Sequence, residues 1–403
     1  MVLLSLVLQI AAIGAFHEYR FRSGDDHFAF GWEMGRIARS LALGQGFSNP
    51  YGDSTGPTAW EPPLYPYWMA GVFKIFGVYS TASAWVLLIF NSLFNALTCI
   101  PIFFIANWVI DERAAWWSAW IWALLPYEMY WAVHWPWDTT FSPFVLACIF
   151  LLSLELEYCR GWKVWVLYGF LWGLIALLNP SILSFLPFSG LWIWYRRSQH
   201  GFASFGRVVV ASLVFFVCLT PWLVRNYETF GRFVFIRDDF GLQFRLGNGP
   251  NADGMLMAYL QPNLNVAEFD SFKQLGELAY AERCKRLAFS WVHDHPGRFA
   301  VISLKRFFYY WNGVPRPTNR VSWVDFRTSL FLASSVLAIW GLVSAVKQKL
   351  PGAWLFLWLV LCYPTVYYFV FPHARYRHPI EPELLILAVG LFCARRPPTA
   401  AEE

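Results

Sequence analysis

Ten stretches of mostly apolar residues recur along the chain, near 1–16, 82–107, 114–130, 139–158, 162–178, 181–195, 207–225, 328–346, 352–371 and 379–394. A helix crosses the bilayer core with about 20 such residues. The pattern therefore predicts an α-helical polytopic membrane protein with about ten transmembrane helices. The first stretch is short, and it lacks a basic leading region and a small-residue cleavage site. It reads as a retained anchor rather than a secretory signal. Asn179-Pro180-Ser181 divides the fifth stretch from the sixth, which leaves open a single kinked element. Polar sequence concentrates between the spans, in 17–81 and 226–327. Three parts follow: a transmembrane module over 1–225 that carries the first polar loop, a small α/β cap over 226–327, and C-terminal transmembrane helices over 328–403.

Basic residues assign the two sides. One set of loops carries Arg113, Arg160, Lys163, Arg196, Arg197, Arg207, Lys347, Lys349, Arg395 and Arg396. The opposing short loops 131–138, 179–180 and 372–378 carry only Arg375 and Arg377. The positive-inside rule makes the first set cytoplasmic, together with both termini. Both long polar segments then face the exterior, which is the periplasm if the membrane is a bacterial inner membrane. Residues 17–81 lean acidic, with Glu18, Asp25, Asp26, Glu33, Asp53 and Glu61 against Arg20, Arg22, Arg36, Arg39 and Lys74. From Arg225 through Arg327 there are fourteen bases against ten acids. A carboxylate site and a phosphate clamp can thus share one face.

Composition agrees with this picture and narrows it. Only 14% of residues are charged against 57% hydrophobic, where soluble domains carry about 25% charged. The 24 Trp, 19 Tyr and 38 Phe fit a chain with two membrane–water interfaces. A cytosolic enzyme, a disordered chain and a disulfide scaffold are excluded. The net charge of +5, with no basic run longer than two residues, gives no footprint for nucleic acid. The seven cysteines show no zinc or disulfide spacing.

In the first exterior loop, residues 32–41 (WEMGRIARSL) predict a short amphipathic helix with Trp32, Ile37 and Leu41 on its apolar edge and Glu33, Arg36 and Ser40 opposite. A surface ion pair with Arg36 is the plain role for Glu33. Residues 61–68 (EPPLYPYW) cannot begin an ordinary helix interior, and they turn the chain back toward the membrane into a partly embedded helix over 64–79. The run WEMGRIARSLALGQGF and the EPPLYPYW segment resemble the first exterior loop of polyprenyl-phosphate-sugar-dependent glycosyltransferases of the GT-C fold. That superfamily includes the protein O-mannosyltransferases and the lipid A aminoarabinose transferases. Its loop has an acid pair before an L-A-R-N-L-like helix, and Glu33 matches one of the two acids. The other, expected three residues earlier, is Phe30 here.

Three further segments carry the resemblance. Asp138, in HWPWDTT at 134–140, occupies the place of the family's second acid at the start of the fourth span; helix capping is its plain role. The loop PHARYRHP at 372–379 holds Arg375 and Arg377, which an extended backbone would point to one face as a guanidinium pair suited to phosphate. Headgroup anchoring with Tyr376 is the alternative. The PWLVRNY run at 221–227 is also similar to the family. Beyond it, Phe233–Arg237 and Leu242–Gly247 alternate as two short strands would, while 267–289 and 297–312 look helical, the latter amphipathic with basic and aromatic faces.

The resemblance implies an enzyme that transfers a sugar from a polyprenyl-phosphate donor to a glycan, lipid or protein acceptor on the exterior face, with inversion. Glu33 and Asp138 would be the catalytic acids. Arg375, Arg377, Tyr376, Arg225, Arg237, Arg245, Glu61 and Tyr65 are candidate substrate contacts. It requires no cofactor and no metal. A transporter or lipid flippase is the competing class, but the chain shows no internal repeat and keeps most charges outside its spans. A scaffold without catalysis would not need the Arg375 and Arg377 pair.

Overall fold

The computed structural model describes residues 1–20, 30–52, 55–313 and 322–393. Arg22, Asp25, Asp26, Asp53, Arg395 and Arg396 lie outside them.

Helices carry the chain. α1 (Val2–Ala15) precedes the first polar loop, which holds α2 (Glu33–Ala42) and α3 (Leu64–Phe76). α4 (Thr81–Leu97) and α5 (Cys99–Val109) meet at Thr98, and α6 (Glu112–Leu124) and α7 (Pro126–His134) follow. α8 (Phe141–Leu156), α9 (Trp162–Ala176), α10 (Leu186–Gln199) and α11 (Phe205–Phe230) complete the amino-terminal bundle. The cap contains α12 (Phe240–Gly247), α13 (Val266–Leu275), α14 (Glu277–Asp294) and α15 (Pro296–Asn312). α16 (Ser322–Lys347), α17 (Ala353–Cys362), α18 (Thr365–Phe369) and α19 (Glu381–Cys393) return to the bundle.

Helix underlies each apolar stretch. Among the described residues, Thr81–Val109, Asp138–Leu156, Phe205–Phe230 and Thr328–Lys347 are long and apolar enough to cross a membrane. Val2–Ala15, Trp162–Ala176 and Ala353–Phe369 are apolar but shorter. Local chemistry sets the breaks. The Asp111 side chain accepts from the Ala114 N–H at 2.7 Å to open α6, and Pro126 stops that helix, splitting the stretch predicted over 114–130. α9 and α11 approach closely through Gly169, where an added Cβ would stand 2.2 Å from the Ala211 carbonyl oxygen. Small residues at such crossings let membrane helices pack backbone to backbone.

The cap departs from expectation. Among the described residues it is helical and contains no strand, so the α/β assignment is corrected. Residues predicted as a second strand form α12, and the apparent alternation has a packing cause. Leu242, Phe244 and Leu246 are all buried because α12 is covered on more than one side, against α14 and against Val370. The predicted helix over 267–289 is two helices, broken at Gly276 with φ of 74°.

Tyr51 and Trp60 of the first polar loop share a core with Phe244, Phe272 and Tyr280 of the cap. Glu277 accepts from the Thr58 hydroxyl and from the Ala59 N–H at 2.6 Å. Arg306 donates to the Gly247 carbonyl and, at 2.8 Å, to the Phe369 carbonyl. Two sequence-distant polar segments thereby become one roof over the bundle.

Candidate active site

Under that roof lies a cavity of about 500 Å³. Glu33, Glu61, Asp138, Arg237, Asp239, Arg375 and Tyr376 line it together with Trp32, Trp135 and Trp137. Six of the ten residues singled out from sequence thus converge on one space.

Glu33 opens α2. The turn before it is unusual, with Gly31 at φ 82° and Trp32 at φ 51°. A Cβ on Gly31 would stand 2.6 Å from the Pro136 carbonyl oxygen, so glycine permits this turn to press on the loop that carries Asp138. A left-handed tryptophan costs on the order of 1–3 kcal/mol, which the surrounding packing must offset. Asp138 is 8% exposed and begins a 3-10 turn, Asp138–Thr140, ahead of α8. The Arg36 side chain, the expected partner of Glu33, donates to the Pro50 carbonyl at 3.3 Å.

Glu61 is held by Arg237, whose Nη2 lies 3.3 Å from Glu61 and 2.6 Å from Asp239. Arg237 Nε donates to the Trp60 carbonyl at 2.9 Å, which fixes the fork. Burial pushes the Glu61 carboxyl up to about 8; Arg237 opposes that, and the charges of Glu33, Asp239 and Asp138 reinforce it. Asp239 makes the shorter of the two contacts with Arg237. Glu61 therefore keeps its proton at neutral pH and faces the cavity as a hydrogen-bond donor.

Arg375 lies over the Trp137 ring, 4.3 Å from its centroid, and 5.2 Å from that of Tyr376. Burial works against its charge, but Tyr376, which also hydrogen-bonds to it, and Asp138 outweigh that and hold the guanidinium protonated. Among the described residues no carboxylate forms an ion pair with it. Tyr376 stacks on Tyr367 at 4.6 Å, and its carbonyl accepts from the Tyr363 hydroxyl at 2.8 Å.

Four expected contacts stand elsewhere. The backbone at Ala374–Tyr376 is a 3-10 turn rather than extended, so Arg377 points away from Arg375. It is fully buried, pairs with Glu381 at 2.8 Å, and donates to Ser335 Oγ at 2.5 Å and Ser334 Oγ at 2.7 Å. Arg225 donates to the Thr58 and Phe47 carbonyls at 2.7 and 2.8 Å and stacks on Trp222. Trp222 Nε1 in turn donates to the Ile236 carbonyl at 2.9 Å, next to Arg237. The PWLVRNY run thus holds loop backbone and does not itself line the cavity. Arg245 is paired with Glu268 at 2.8 Å inside the cap. The Tyr65 hydroxyl donates to Asn91 Oδ1 at 3.1 Å within the bundle.

Sequence reasoning missed Asp239 and Trp137 as site residues. The Arg237-Asp238-Asp239 run was a legible signal, since three consecutive charges in an aromatic segment need partners. Nothing in the sequence pairs Trp137 with Arg375 across more than 200 positions. Among the described residues no group of three or more His, Cys, Asp or Glu side chains is arranged to hold a metal ion.

The likeness to GT-C glycosyltransferases has independent support. Residues 60–224 match the family described as dolichyl-phosphate-mannose-protein mannosyltransferase. That match includes Asp138 and Glu61 but stops short of Arg237 and Arg375. No curated protein sequence matches the chain. The fold is similar to that of the oligosaccharyltransferase of Archaeoglobus fulgidus. Its apo form aligns with a TM-score of 0.52 at 14% identity, over 97% of this chain and 50% of that one. Its complex with zinc and sulfate aligns at 0.51 and 16% identity, over 96% and 48%. The archaeal oligosaccharyltransferase AglB, solved with an inhibitory peptide and a dolichol-phosphate, aligns at 0.50 and 15% identity, over 97% and 50%. The chain spans about half the length of these proteins.

Proposed function

We propose that the protein is an integral membrane glycosyltransferase that moves a sugar from a polyprenyl-phosphate donor to an acceptor hydroxyl on the exterior face. One observation carries this reading: Arg375, a guanidinium with no carboxylate ion pair among the described residues, lines the same cavity as Glu33 and Asp138. That arrangement suits a reaction in which a phosphate leaves while a hydroxyl loses its proton.

In this mechanism Glu33, with Asp138, takes the acceptor proton as the acceptor oxygen bonds to the sugar C1. The C1–O bond to phosphate breaks on the opposite side, its electron pair passes to the phosphate oxygen, and the anomeric centre inverts. Arg375 stabilises the charge that develops on the departing phosphate. Neutral Glu61, steered by Arg237, donates a hydrogen bond to donor or acceptor without adding negative charge beside the phosphate. Leu178, Val366 and Val370 line the cavity's apolar side, where the first prenyl units fit. On this reading the chain crosses the membrane ten times, both termini are cytoplasmic, and the cavity opens on the periplasmic side of a bacterial inner membrane. Residues 1–225, 226–327 and 328–403 act as bundle, cap and closing helices.

Membranes containing the protein, supplied with radiolabelled polyprenyl-phosphate sugars and candidate acceptors, test the reading. Transfer is expected from the wild type and lost in Glu33→Gln and Arg375→Ala at unchanged expression. Full activity in both variants removes the assignment.

A further inference from the structure

We propose that the outer face of α15 is embedded in the exterior leaflet of the bilayer, so that the cap is seated on lipid. The inference rests on the membrane placement of α16 and does not depend on the chemistry of the cavity.

The first observation is the pattern of exposure. α15 turns Ile302, Arg306 and Tyr310 inward, where they are buried. The opposite face presents Val301, Leu304, Phe307 and Phe308, which are 56%, 59%, 42% and 51% exposed. Spacings of three, three, one and four or seven residues put these four on one stripe of the helix. Contiguous apolar surface of this kind marks a contact with lipid or with another protein. Arg298 and Lys305 are exposed along one flank. A basic flank beside an apolar stripe is the arrangement of helices that lie in a membrane interface, with the charges reaching lipid phosphates.

The second observation sets the depth. Thr328–Lys347 is 20 residues long, or about 30 Å at about 1.5 Å per residue, the thickness of the hydrocarbon core. Ser335 lies about two turns inside that segment from the end joined to the cap, about 10 Å below the boundary. Its hydroxyl donates to the Trp311 carbonyl in the last turn of α15. The carboxyl end of α15 is therefore already at membrane depth. On α16, next to Ser335, Val336 is 52% exposed. Water is the wrong solvent for Phe307 and Phe308 at that level.

Embedding ties the roof to the bilayer. Arg306, on the inner face of the same helix, donates to Gly247 of α12 and Phe369 of α18. The depth of α15 in the leaflet thus sets the height of α12 above the cavity.

The full chain in vesicles of phosphatidylethanolamine and phosphatidylglycerol provides the test. p-Azidophenylalanine replaces Leu304, Phe308 or, on exposed α14, Lys285, and each is clicked to an environment-sensitive fluorophore. Lipids with a nitroxide on the acyl chain are expected to quench positions 304 and 308 several-fold more than 285, with blue-shifted emission and little quenching by iodide. If a labelled protein does not assemble, Val301 on the same stripe takes its place. Iodide quenching at 304 and 308 equal to that at 285 overturns the proposal in favour of a water-facing helix. Protection from both quenchers overturns it in favour of a second protein copy covering the face.

Discussion

The guanidinium carbon of Arg375 lies over the Trp137 ring, 4.3 Å from its centroid. A cation from the loop before α19 is thereby fixed beside Asp138 and lines the cavity, with Tyr376 as its hydrogen-bond partner. A side chain held by stacking keeps its remaining hydrogen bonds for a ligand.

Removing that cation should be costly. Arg375→Ala is expected to lower the transfer rate about 10²–10³-fold, the usual loss on deleting one charge-stabilising donor. Trp137→Ala removes the platform, worth about 0.5–2 kcal/mol, and in protein that remains folded should cost about 2- to 30-fold in the same assay. Arg375→Lys should not restore the wild-type rate, because an ammonium neither stacks nor offers a fork.

The two acids are expected to act as a unit. Glu33→Gln and Asp138→Asn should each reduce transfer by about 10²–10⁴-fold, and the double variant should be far less than the product of the two. Initial rates at saturating donor measure this. Strict additivity would mean that the two carboxyl groups serve separate steps.

Glu61 sets a pH dependence. Its carboxyl titrates at about 8 in the folded protein, against an ordinary 4.5. The fold therefore binds the proton more tightly than the unfolded chain does. The stability contributed by this group is fully present below about 4.5 and is lost as pH rises through about 8. Glu61→Gln keeps the neutral shape at every pH. The variant should match the wild type in thermal melting near pH 5 and melt higher above pH 8. Transfer by the wild type should fall as pH passes about 8, while the variant stays flatter.

Arg377 supports the site from behind. Its removal leaves the buried Glu381 without its guanidinium partner, and breaking such a pair costs about 3–5 kcal/mol. Arg377→Ala should melt several degrees lower in detergent, and Arg377→Lys should recover little of the loss. Where the variant is folded, the donor KM should rise more than kcat falls, since Arg375 remains present but less well placed.

Much of the bundle was legible because hydrophobic transfer is a local property of each stretch. Helix lies where the apolar runs are, and Pro126 and Asp111 set breaks by their own backbone chemistry. Glu33, Asp138 and Arg375 could be singled out because charges beside membrane spans are expensive unless they have work to do. The alternation at 242–247 misled because burial on several sides imitates a strand period, and α12 is wedged between α14 and Val370.

By itself the sequence determined a helical membrane protein with its polar segments gathered on one face, since burial and charge placement are read residue by residue. Only the tertiary structure decided which arginine faces the cavity. Arg375 and Arg377 are two positions apart and chemically alike, yet a 3-10 turn sends one onto Trp137 and the other down to Glu381. The same holds for Asp239, which joins Glu61 through Arg237 only because the cap folds over the first loop. Side-chain direction depends on local backbone angles and on distant packing partners, and neither is written at the residue itself.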